Sequence, residues 1–211
     1  MRWCRKGDGT GDQAPGTRHG RGTSRPAPSG SWLLVPGLAV VLVAARAPFP
    51  VAPPPATTRG FGEPTCQSCH DGNALNDPAG AVELRGVPEE GYEPGRTYRV
   101  TVALRRPGMA RGGFQVAARW MTGADSGRQA GRWSTPDART ATTTQHDVVF
   151  AHHTEAGAEA SPDSAAWTMA WTAPEAAGDV VFHVAANAAD GGGSAFDDYV
   201  YARGFVRAGR R

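Results

Sequence analysis

The residues of this chain with the clearest chemical meaning are Cys66, Cys69 and His70, which stand in the pentapeptide Cys-Gln-Ser-Cys-His. Two thiols three positions apart can each form a thioether with one vinyl group of a porphyrin. The histidine that follows the second thiol is then delivered to one axial face of the iron. The spacing therefore predicts a c-type haem, with Cys66 and Cys69 holding the porphyrin and His70 as the proximal iron ligand.

A pair of cysteines at this spacing also has other uses. It occurs as a disulfide or redox-active dithiol, and as half of a zinc site. The third cysteine of the chain is the distant Cys4, so a zinc site would lack a second cysteine pair. Turn residues such as Gly72 flank the motif, whereas a thioredoxin-like site belongs between a strand and a helix. Haem attachment is favoured, and disulfide or dithiol chemistry is the main alternative.

The second axial ligand would decide what the attached iron does. His153 ends an apolar strand and Met109 lies in a loop, so both are candidate distal ligands, and a structural role for the histidine is the alternative. Met169 alternates with two tryptophans and is expected in the core, and His183 is expected on the surface. Two strong ligands predict single-electron transfer with an unidentified redox partner protein. An open position predicts binding of small gases or peroxide.

The N-terminal segment, residues 1–47, is predicted to be a signal peptide with a long basic lead. Its apolar run, residues 32–43, is too short for a comfortable membrane span and is followed by the small-x-small site Ala45-Arg46-Ala47. Export to the periplasm, the cell surface or the medium follows, with possible proximity to membrane or cell wall. Haem is attached and disulfides persist in such compartments, so export agrees with both uses of the cysteine pair.

The charge of the mature chain argues against one class of partner. Residues 48–211 contain 15 basic and 18 acidic residues, a net charge of about −3 with neutral histidine. A nucleic-acid-binding domain would carry a clustered basic face. Binding of nucleic acid is therefore excluded, and the slightly basic balance of the whole chain belongs to the targeting segment.

Three parts follow the signal peptide. Residues 48–60 contain five prolines and are predicted to be a stiff linker. Residues 61–80 carry the haem motif in a loop rich in glycine and asparagine. From residue 81 to 207, alternating apolar residues predict about seven short strands, and therefore an all-β, immunoglobulin-like β-sandwich. The predicted strands are 82–85, 97–104, 114–120, 147–151, 167–171, 180–186 and 199–206.

Several stretches in residues 60–205 resemble one bacterial domain family. They include the haem motif, Gly113-Phe114-Gln115-Val116, Trp171-Thr172-Ala173-Pro174 and the Asn-Ala-Ala-Asp-Gly run at 187–191. Together they resemble the "choice-of-anchor V" domain, which is itself similar to the reelin-type (Reeler) domain. The resemblance implies an immunoglobulin-like sandwich outside the cytoplasm. It also implies an alternative function, a surface interaction module with a Cys66–Cys69 disulfide and no redox role.

No other motif predicts chemistry. The glycine-rich run 190–198 contains three aspartates, but their spacing matches no standard calcium loop, and a connection between strands is the expected role. No Ser-His-Asp order, phosphate loop or pair of catalytic carboxylates is present, so we predict an electron carrier or a binding module rather than a hydrolase.

Overall fold

The computed structural model describes residues 52–210, so the predicted signal peptide and the cleavage site at Ala47 lie outside the described residues. Within residues 52–210, no helix is long and apolar enough to cross a membrane. The strands in chain order are β1 (Asp71–Gly72), β2 (Ala81–Arg85), β3 (Thr97–Arg105), β4 (Arg111–Trp120), β5 (Arg132–Ser134), β6 (Thr140–Gln145), β7 (Val148–His153), β8 (Ser164–Thr172), β9 (Val180–Ala189) and β10 (Phe196–Arg207). Three short 3-10 turns accompany them: Gly60–Gly62, Cys66–Ser68 and Ala156–Ala158.

Within residues 52–210, ten strands form two sheets that enclose an apolar core. Six strands pair in the order β1-β10-β9-β4-β7-β6, and four pair in the order β2-β3-β8-β5. Core residues come from both sheets and include Trp167, Trp171, Phe114 and Phe182, each at most 1% exposed. The prediction of an all-β sandwich is confirmed.

The inward faces follow from alternation along the strands. In β3, Tyr98, Val100, Val102 and Leu104 are buried, as the period of two predicts. In β9, Phe182, Val184 and Ala186 form the corresponding stripe in the core. Aromatic rings bridge the sheets, for example Trp167 of β8 stacked on Phe114 of β4 with centroids 4.7 Å apart. Burial of these stripes explains why the sequence selects two facing sheets.

Three strands are absent from the sequence prediction. β1 and β5 have two and three residues, too few for a periodic signal. β6 reads Thr-Ala-Thr-Thr-Thr-Gln and has no apolar stripe. It is joined to β7 by a two-residue turn in which His146 and Asp147 have φ of 49° and 60°, as a tight hairpin requires.

The described part of the proline-rich segment does not extend away from the sandwich. Residues 54–63, which we call the strap, lie across the outer face of the six-stranded sheet. The Thr57 N–H donates to Gln115 Oε1 at 2.8 Å, and Gln115 Nε2 donates to the Pro54 carbonyl at 3.0 Å. Further along the strap, Glu63 forms an ion pair with Arg119 of β4, whose side chain is 5% exposed. The strap therefore covers polar residues that would otherwise face solvent.

Candidate functional site

The haem motif folds into a single tight turn. Residues Cys66–Ser68 form a 3-10 helix whose first residue follows Thr65, and the Thr65 hydroxyl accepts the Gln67 N–H at 3.1 Å. The N–H groups of Cys69 and His70 both donate to the Cys66 carbonyl, at 3.1 and 2.9 Å. The turn thus holds both thiols and the imidazole within five residues.

Strand β1 fastens this turn to the edge of the six-stranded sheet. Asp71 and Gly72 pair in parallel with β10, opposite Phe196 and Asp198. Asn73 then donates from Nδ2 to the carbonyl of Asp197 at 2.7 Å. Gly72 has φ of 110° and a Cβ there would lie 3.0 Å from the Asp197 backbone, so only glycine fits without strain. The predicted loop segment 61–80 therefore docks directly onto the sandwich.

Behind the turn, His70 meets a buried carboxylate. Its Nδ1 lies 2.6 Å from Asp198 Oδ2, and Asn187 donates from Nδ2 to the same oxygen at 2.9 Å. The Asp198 side chain is 3% exposed, whereas that of His70 is 35% exposed. Nδ1–H of the imidazole donates to the carboxylate, so Nε2 is the ring nitrogen left for another partner.

This arrangement has the geometry of a metal-binding histidine. A histidine that binds a metal through one nitrogen commonly donates the other N–H to a carboxylate, which fixes the ring and raises its basicity. Asn187 in turn fixes Asp198, and its own Oδ1 is buried without a hydrogen-bond partner among the described residues. The donor set of two thiols and one carboxylate-backed imidazole fits a c-type haem.

The two thiols differ in accessibility. Both are free in the structure, Cys69 exposed and Cys66 partly buried. Burial raises the pKa of Cys66 to about 12, with a smaller contribution in the same direction from Cys69. Cys66 is therefore protonated at neutral pH.

The structure gives His153 a hydrogen bond within the fold. Its Nδ1 accepts the Phe114 N–H at 3.0 Å where β4 and β7 separate, and its ring lies over Gly113. The same Nδ1 lies 3.2 Å from the Phe114 carbonyl oxygen, so Phe114 holds this side of the ring whichever nitrogen carries the proton. Burial is the main cause that lowers the pKa of His153, and charge on His152 and His70 lowers it further. The neighbouring His152 accepts from Thr143 and donates to the His153 carbonyl.

The remaining candidates lie elsewhere. Met109 is 4% exposed in the core, on the opposite side of the six-stranded sheet from His70, and Met169 is fully buried as expected. The structure does not bring Met109 to His70. His183 was expected on the surface, but the strap covers it: Phe61 packs edge-on at 5.4 Å, and Nδ1 is buried without a partner among the described residues.

The glycine-rich run between β9 and β10 is a turn. The Gly192 N–H donates to Asp190 Oδ1 at 2.7 Å, and Asp198 faces His70. Among residues 52–210, no group of three or more histidine, cysteine or acidic side chains could hold a metal ion. Sequence reasoning named Asp198 only as a residue beside the glycines and did not find Asn187. Asn187 and Asp198 lie on the adjacent antiparallel strands β9 and β10. They can be recognised as neighbours only once the register of these two strands is known.

Fold and site together define an all-β sandwich with a Cys-x-x-Cys-His turn at one sheet edge. No family model matches the chain, and no curated protein does. Among solved structures, the human F-spondin reeler domain is 20% identical, with a TM-score of 0.40 over 64% of this chain and 94% of that one. A Clostridium perfringens cohesin module is 10% identical, with a TM-score of 0.40 over 60% and 94%. The Corynebacterium diphtheriae major pilin SpaD is 11% identical, with a TM-score of 0.36 over 60% and 35%.

Proposed function

We propose that this protein is an exported β-sandwich module that carries a c-type haem on its Cys66–His70 turn and passes single electrons. One observation supports the proposal above the others: His70 donates its Nδ1–H to the buried Asp198 and leaves Nε2 for the iron. Two free thiols precede it at the spacing that haem attachment needs. Bound haem would supply one-electron redox chemistry.

The chain's own residues would orient and tune this group. Cys66 and Cys69 would form the thioethers, and His70 would bind the iron. Asp198 holds the ring orientation of His70 and, as an acceptor, increases the electron density on its other nitrogen. Asn187 keeps Asp198 in place from the neighbouring strand. A carboxylate in this position favours the oxidised, more positive state of a bound iron and so lowers its midpoint potential.

The state of Cys66 constrains when the attachment occurs. The thiolate is the reactive form, and burial raises the pKa of this thiol to about 12 in the folded domain. Cys66 of the folded chain would therefore be a poor nucleophile, and we expect haem to be attached before the domain folds. In the folded, unmodified protein we expect iodoacetamide to label the exposed Cys69 much faster than Cys66. Equal labelling rates would contradict this step, and denaturant should remove any difference.

The proposal is tested on protein secreted from cells that have haem-attachment machinery. An alkaline pyridine spectrum should show a covalently held c-type chromophore that survives acid–acetone extraction. Cys69→Ala should weaken or abolish covalent retention, and His70→Ala should abolish the native axial ligation. Ser68→Ala, inside the same turn, is the matched control and should leave the spectrum unchanged. A wild-type protein without the chromophore would refute the proposal.

A second function is supported by the two free thiols that border the same short turn. Cys66 and Cys69 stand three positions apart in one turn, which is the spacing of a disulfide or redox-active dithiol, and a disulfide between them would close the turn. The domain would then be an extracellular interaction module, with His70 and Asp198 holding the turn to β10. The structures compared above are named as reeler, cohesin and pilin proteins, and none of these names mentions haem.

The two functions leave different marks on the purified protein. A disulfide removes two hydrogens from the mass of the mature chain and is reversed by a thiol reductant. A haem adds its own mass and resists the same reductant. Protein with the disulfide and no chromophore, recovered from cells able to attach haem, would favour the interaction module.

A further inference from the structure

His183 of β9 lies on the outer face of the six-stranded sheet, beneath the strap. The ring of Phe61 packs edge-on against it with centroids 5.4 Å apart. Gly60 approaches so closely that a Cβ there would lie 2.7 Å from His183 Cγ and Nδ1. On the side of β10, a Cβ at Gly204 would lie 3.5 Å from Nε2. The imidazole is therefore enclosed between the strap and the sheet.

One nitrogen of this ring has no hydrogen bond. His183 Nδ1 is buried and has no hydrogen-bond partner among the described residues. A neutral imidazole carries one N–H group, whereas an imidazolium carries two and is positively charged. Burying an unpaired charged donor costs far more than burying an unpaired neutral nitrogen. The strap in its closed position therefore favours the neutral ring.

The charges around His183 act in the same direction on balance. Among the described residues, Arg119 of β4 opposes a second positive charge, and Glu63 of the strap favours one. Glu63 already forms an ion pair with Arg119, and the strap and β10 residues that touch the ring are uncharged. Burial is the largest cause, and together with Arg119 it holds the pKa of His183 below its ordinary value of 6.5.

The strap can open without breaking a strand ladder. No backbone–backbone hydrogen bond joins residues 54–63 to any strand of the described chain. Side-chain contacts hold it instead, chiefly those of Gln115 with Thr57 and of Arg119 with Glu63. Segments with few such contacts open at a lower free energy than the whole domain.

We propose that the strap is an acid-sensitive cover, and that protonation of His183 releases residues 54–63 from the outer face while the sandwich stays folded. Release gives both ring nitrogens access to water. It also uncovers Ala117, Val148 and Phe150, an apolar cluster against which Ala56 of the strap packs.

Hydrogen exchange of single backbone amides, followed by NMR from pH 7.5 to 5, tests this proposal on the mature chain. Each rate is compared with that of an unstructured chain at the same pH, which gives a protection factor. The strap is reported by the N–H groups of Thr57 and Arg59, which donate to Gln115 Oε1 and the Pro64 carbonyl. The reference for the sandwich is Val102, fully buried in β3.

Below pH 6.5 the protection of the strap amides should fall by about tenfold for each pH unit, because opening takes up one proton. Val102 should stay better protected than the strap at every pH. His183→Asn should abolish the pH dependence of the strap. His146→Asn is the matched control and should keep the wild-type behaviour, because His146 is exposed and its φ of 49° suits asparagine.

A second measurement needs no variant. In the wild-type chain, the ring protons of His183 should titrate at a lower pH than those of the exposed His146. Equal midpoints would overturn the proposal, as would strap protection that stays constant from pH 7.5 to 5. So would a decrease that persists in His183→Asn, because another group would then be the sensor. Loss of protection at Val102 to the level of the strap would also overturn it, because the whole sandwich would then be opening.

Discussion

Replacing Asp198 with alanine should destabilise the domain more than any other change around the Cys66–His70 turn. Asp198 is 3% exposed and accepts from both His70 and Asn187, at 2.6 and 2.9 Å. Its removal leaves the Asn187 amide in a buried position without that acceptor. The His70 ring, 35% exposed, can recover a hydrogen bond from water.

The size of the effect follows from these two contacts. A hydrogen bond to a charged group contributes about 1.5–3 kcal/mol, and the part involving His70 is largely recovered from solvent. We expect the free energy of unfolding to fall by about 2–3 kcal/mol, which lowers Tm by roughly 5–10 °C in a chain of this size. Differential scanning calorimetry of the purified variant gives both quantities.

The neighbouring residue provides a matched control. Asp197 is exposed, and its φ of 69° is also acceptable for asparagine, so Asp197→Asn should leave Tm nearly unchanged. In haem-loaded protein, Asp198→Asn should in addition raise the midpoint potential, because the neutral amide is a weaker acceptor for His70. An Asp198→Ala variant as stable as the Asp197 control would refute the reasoning about this carboxylate.

Three further predictions concern the strap and the buried histidines. Glu63→Ala leaves Arg119 buried without its ion pair and should cost about 3 kcal/mol of unfolding free energy, measured by urea denaturation. Gly113→Ala places a Cβ 2.7 Å from the His153 ring and should cost about 1–3 kcal/mol in the same assay. Burial lowers the pKa of both His153 and His183 from 6.5. Well above pH 6.5 these groups are neutral in both states. Below it the unfolded chain binds the protons first, so urea midpoints should fall as the pH drops.

Each of these predictions has a control. Glu93→Ala breaks an exposed pair with Arg96 and should change stability by no more than about 0.5 kcal/mol. Gly204→Ala meets its nearest atom at 3.4 Å and should be tolerated. His183→Asn should flatten part of the acid dependence. If Glu63→Ala matched Glu93→Ala, the strap would not be held by its ion pair. A stability that is constant below pH 6.5 would contradict the burial of the two histidines.

Alternation in single strands was enough to predict the sandwich. In β3 and β9 every second residue is apolar and faces the other sheet, so each strand carries its own signal. Strand β6 was not predicted, because threonine is favourable in a strand but produces no apolar stripe in the sequence. The docking of the strap was not predicted, because Gln115, which binds Thr57 of the strap, lies 58 residues further along the chain. Proline content alone predicts a linker there, and only the folded sheet shows where it docks.

The site divides in the same way. The motif predicts Cys66, Cys69 and His70 because three residue types at fixed spacing are local information. Asp198 stands 128 residues away from His70 and becomes its partner only when β1 pairs with β10. The distal candidates were chosen by their positions in loops and at strand ends. In the structure Met109 is buried in the core and His153 is hydrogen-bonded to Phe114. Neither contact can be predicted from the order of residue types alone.

Intact mass spectrometry of the mature protein from its native host tests the central claim most directly. We predict the mass of the processed polypeptide plus one haem, unchanged by reductant, on a peptide that contains Cys66, Cys69 and His70. A mass equal to the polypeptide alone, or lower by two hydrogens, would show that this turn carries no porphyrin and would contradict the account.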